Sequence, residues 1–199
     1  MAPCLAIDRY QKAIGESAVA DLERFTFLAG TYQDVAAAEG DYELLKDLYR
    51  RSDLTRALDA TLIGRRADAR FAIHTPSVQP AHANVQRDAG CRLAYGLTVA
   101  LFPAGAIGTV TWTPVTAAGI GAIAGVVSAA LSRSDLKALG EHLDTSEAAL
   151  IVAAATNAGD TVESAMARAE EVVTRQANID SAALRRESTS NDRQWRFTH

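Results

Sequence analysis

The residues from Leu93 to Ser132 constrain this chain more than any other stretch. They read LAYGLTVALFPAGAIGTVTWTPVTAAGIGAIAGVVSAALS, without one charged side chain, and are closed by Arg92 and Arg133. So much apolar surface exceeds what a soluble monomer leaves in water, so it must be hidden. Two rows of small residues run through it at helical spacing. Gly96, Ala100, Ala104 and Gly108 form one, and Ala117, Gly121, Gly125 and Ala129 form the other. Residues four apart share a helix face, so each row offers a smooth surface to a neighbouring backbone. Pro103 and Pro114, with Thr109 and Thr116 between the halves, favour a break over one long rod. The stretch reads as two short apolar helices folded as a Gly/Ala-rich hairpin. Its small rows are the candidate contact for self-association or for a membrane.

Length argues against a simple membrane span. Crossing the hydrocarbon core takes about twenty apolar residues per helix, and each half offers about fifteen. Arg87, Arg92, Arg133 and Lys137 at the two ends suit a re-entrant loop with both ends in the cytoplasm. Two hiding places stay open: protein, in a homo-oligomer, and membrane lipid at the inner face of the cell membrane.

The remaining composition narrows the partners. A net charge of −4 argues against a nucleic-acid partner, which calls for a basic face. Cys4 and Cys91 stand far apart, outside any C-x-x-C or zinc spacing, and fit a reducing cytoplasm. Asp8 and Arg9 interrupt the start where an export signal needs an apolar run, so a cytoplasmic location is expected.

Taken in order, residues 1–24 carry Ile7, Tyr10, Ile14, Ala18 and Leu22 near one helix face. FTFLAGTY, from Phe25 to Tyr32, is rich in strand formers. Asp34 can cap a helix whose inner face is Val35, Ala38, Tyr42, Leu45 and Tyr49. Its other face, with Glu39, Asp41, Glu43, Lys46 and Asp47, belongs in water on this pattern. Leu58 to Arg65 and Arg70 to Thr75 read as paired strands, followed by a polar loop from Pro76 to Arg87. Beyond the uncharged segment, Ser134 can cap a helix with Leu136, Leu139 and Leu143 on one side, and Ala148 to Ala155 reads as a central strand. Asp160 with Glu163 resembles a capping box. It predicts a helix running to about Arg186, with Val162, Met166, Ala169, Val173 and Gln176 along one side. The polar residues 188–199 read as a disordered tail.

With the segment 93–132 set aside, the order is strand, helix, strand, strand, helix, strand, then an extra C-terminal helix. This predicts an α+β fold: a ferredoxin-like split β-α-β sandwich over 25–187, helices on one face, with the hairpin as an insertion. On that reading a Gly/Ser linker in place of the hairpin leaves a folded domain.

GTYQDVAAAEGDYELLKDLY followed by ALDATLIGRR resembles the opening of a bacterial family, domain-of-unknown-function family twelve-sixty-nine. The pattern continues through the Phe102-Pro103 hairpin start, LSRSDLKALGEHLDTSEAALIVAA and ARAEEVVTRQANID. The similarity runs from Phe25 to Arg186; it departs from the family at Ala67 to Ala69, where a Gly is usual, and at Trp112-Thr113-Pro114. The family carries the label "predicted membrane protein". The resemblance implies a compact α+β domain with a glycine-rich apolar element and no established activity.

No residue set points to catalysis. Gly119-Ile-Gly121-Ala-Ile-Ala124 matches G-x-G-x-x-A, but Pro114 spoils the strand that a dinucleotide site needs before it. His74, His82, His142 and His199 lack metal-ligand spacing. Asp59, Asp135, Glu141 and Asp144 offer carboxylates for a pair, but Asp135 and Glu141 also sit where helix starts and exposed faces attract acids. Ser132, Ser134 and Ser146 lack a nucleophile-elbow context. The expectation is a non-enzymatic protein without cofactor or metal. The alternative is a small-ligand-binding or sensing module with an apolar pocket between sheet and hairpin.

Overall fold

The computed structural model describes residues 22–51, 58–67, 71–75, 93–102, 114–180 and 182. The N-terminal helix expected over 1–24 and the tail at 188–199 lie outside them, except that Leu22–Arg24 already belong to a strand. The fold is α+β around a five-stranded antiparallel sheet.

Strand β1 (Leu22–Tyr32) leads into helix α1 (Val35–Arg51). The Asp34 carboxylate accepts the Ala37 N–H at 2.7 Å and satisfies one of the free donors of the first turn. Strands β2 (Leu58–Arg65) and β3 (Phe71–Thr75) follow. Helices α2 (Leu93–Leu101), α3 (Pro114–Ala130) and α4 (Arg133–Leu143) come next. Proline is tolerated at the head of α3 because no N–H is needed there. Strand β4 (Ala148–Ala155), helix α5 (Gly159–Ala165) and strand β5 (Glu171–Asp180) complete the described chain. The sheet order is β3-β2-β4-β1-β5. Strand β4 therefore lies between β1 and β2, and β1 lies between β4 and β5. The α1 and α5 connections each link two parallel strands across one antiparallel neighbour.

Alternation along the strands divides the core between two faces. Leu28, Tyr32, Ala60, Leu62, Leu150 and Val152 pack with Ala38, Tyr42 and Leu45 of α1 and Val162 of α5. Phe27, Ala29, Ile63, Ile151 and Ala153 pack on the opposite side with Leu93 and Leu97 of α2, Ile123 and Val127 of α3, and Leu139 and Leu143 of α4. Helices cover both faces, not one. The run AALIVAAA suits β4 because small side chains let both helical layers approach the central strand.

Several expectations change. The predicted C-terminal helix is a short helix, α5, followed by strand β5, so Val173 and Gln176 lie on a strand. The β-branched run Val172-Val173-Thr174 and the free edge of β1 outweigh the helical spacing, and β5 pairs with β1 along its length. The helix expected after Ser134 exists as α4, but it covers the face opposite α1. Strand β3 is an edge strand, outside the pairing of β1 with β4. The described helices of the segment 93–132 supply much of the cover for one sheet face. Asp41, placed in water by the helix pattern, is fully buried.

Candidate self-association surface

Helix α2 is held at its start from the sheet. Asp59 on β2 is buried, and its carboxylate accepts the Ala94 N–H at 2.9 Å. A negative charge at a helix N-terminus satisfies a donor that lacks an intrahelical partner. One turn later, the Thr98 hydroxyl donates back to the Ala94 carbonyl at 2.8 Å, which satisfies it inside the layer. Helices α2 and α3 then meet at Gly96. A Cβ built on Gly96 would lie 2.6 Å from Ile123 Cγ2 and 3.2 Å from the Ile123 carbonyl carbon. The small residue is used within the chain, to bring two helix backbones together.

The second row behaves differently. Gly121, Gly125 and Ala129 are exposed, on the side of α3 away from Ile123 and Val127. Among the described residues, a Cβ on Gly121 or Gly125 would meet nothing within 4 Å. The structure thus separates the two candidate rows: Gly96 is buried and Ala100 half-buried, while Gly121, Gly125 and Ala129 face outward. Ala104 and Gly108 lie outside the described residues, and for Ala117 only the helical backbone is described.

Several of the carboxylates, serines and histidines weighed in the sequence take part in local contacts. Asp135 opens α4, accepts from Ser132 and pairs with Arg175 at 3.0 Å. Glu141 pairs with Lys137 along an exposed helix face at 3.4 Å. Asp144 ends α4, and its carbonyl, with that of Ser146, accepts from the Arg65 guanidinium. The Ser146 hydroxyl donates to the Leu143 carbonyl. His74 is exposed on β3, and His142 Nδ1 stands 3.5 Å from a Glu171 carboxylate oxygen. His82 and His199 lie outside the described residues, and among the described residues no group of three metal-ligating side chains assembles. Gly119 to Ala124 lie inside α3, so no strand-to-helix turn exists there for a dinucleotide phosphate.

One buried polar set escapes the sequence pattern. The Tyr32 hydroxyl donates to Asp41 Oδ2 at 3.2 Å, and the Arg168 backbone N–H donates to the same oxygen at 2.8 Å. Arg168 Nη1 reaches Asp41 Oδ1 at 3.0 Å. Burial, then the adjacent Asp41 charge and its hydrogen bond, push the Tyr32 phenol well above its ordinary value. Burial alone pushes Tyr95 up to about 12. With each carboxylate oxygen matched by a donor, the set fastens α1 to the turn before β5. The hint available in the sequence is Asp41 beside Tyr42, at the border of the inner helix face.

Residues 98–187 match the family model described as Protein of unknown function (DUF1269). This part of the chain is similar to DUF1269. The DUF1269 match begins in α2 and continues through α3, α4, β4, α5 and β5, so it contains the outward row of α3. The sequence resemblance noted from Phe25 onward is shown from residue 98. No curated protein and no solved structure matches the chain.

Proposed function

We propose that this is a non-enzymatic, self-associating protein that uses the outward face of α3 as its contact. The observation that carries the reading is the row Gly121, Gly125 and Ala129, exposed on a helix without a charged residue and open to close approach. A face of this kind gains from another backbone packed on it, because small side chains leave no steric barrier. The two strand-crossing connections support a ferredoxin-like sheet, with α2 and α3 as a helical hairpin packed upon it. The cytoplasm is the proposed setting, with the inner face of the cell membrane as the second surface such a row could meet. The layer between sheet and hairpin is filled by Phe27, Leu93, Leu97 and Ile123, which disfavours a ligand pocket there.

The test is Gly121→Leu and Gly125→Leu, read by mass in solution and by thermal unfolding. Open space around both positions predicts intact folding, and in both variants the mass should drop toward that of one chain. An unchanged oligomer in both, or a wild-type chain that is monomeric at all concentrations, refutes the reading.

A further inference from the structure

We draw no further inference here: the strongest candidate, the side-chain cluster in which His142 of α4 lies against Glu171 of β5 with its Nε2 buried, carries nothing, because among the described residues no third ligating side chain joins it and nothing in the structure shows what would bind there.

Discussion

Tyr32 and Asp41 show how a single buried pair shapes stability against pH. The Tyr32 phenol is buried, bonded to a carboxylate, and held above its ordinary value. A group whose folded value is raised stabilises the fold below its unfolded value, about 10 for tyrosine, and loses that contribution as pH rises through the folded value. Denaturation midpoints should therefore fall as pH rises above about 10, and Tyr32→Phe should fall less steeply. Tyr95, pushed up to about 12 by burial, leaves a residual slope in that variant. Equal slopes in wild type and Tyr32→Phe would remove the pair from the alkaline response. The burial of Asp41 was not legible beforehand because helical spacing assigns each position to a face without knowing what packs above it. Here the turn carrying Arg168 reaches over α1, and its backbone N–H and guanidinium supply donors that water would otherwise provide.

Elements with one periodicity and clear ends could be read directly. Strands β2 and β4 occupy Leu58–Arg65 and Ala148–Ala155, as their apolar runs require, and α1 starts just after its Asp34 cap. Strand β5 could not, because EVVTRQANID follows a helix start and satisfies helical spacing on paper. Its state is decided by the open edge of β1, a tertiary fact. The uncharged segment was legible as helices, while its role as cover for the sheet was hidden in the same way. Leu93, Leu97, Ile123, Val127 and Leu131 are all buried in the layer it forms. At about 1.5–3 kcal/mol for each such side chain, their removal forfeits on the order of 10 kcal/mol, comparable to the whole stability of a typical domain. A Gly/Ser linker in place of 93–132 should accordingly abolish cooperative unfolding and expose dye-binding apolar surface. A sharp, two-state melt in that chain would show that the sheet stands without this cover.

At the scale of the whole molecule, the question is what meets α3. No helix among the described residues is long and apolar enough to cross a membrane, and α2 spends its apolar side chains on the sheet. What remains outward is the face of glycine and alanine on α3, and lipid and protein respond to it oppositely. A second helix gains from the smallness of Gly121, because it permits close contact. Lipid gains little from glycine and more from leucine, which transfers into the hydrocarbon favourably. Gly121→Leu therefore separates the two settings when mass and binding to anionic lipid vesicles are measured on the same sample. If protein is the natural contact, wild type should form its oligomer without lipid and bind vesicles weakly. The variant should then lose mass and gain vesicle binding, since its face becomes more apolar while its partner is excluded. If lipid is the natural contact, the mass should not respond to the substitution, and wild type should already float with the vesicles. The open space around Gly121 among the described residues lets the added side chain leave the fold intact, so the two readouts report the contact and not unfolding.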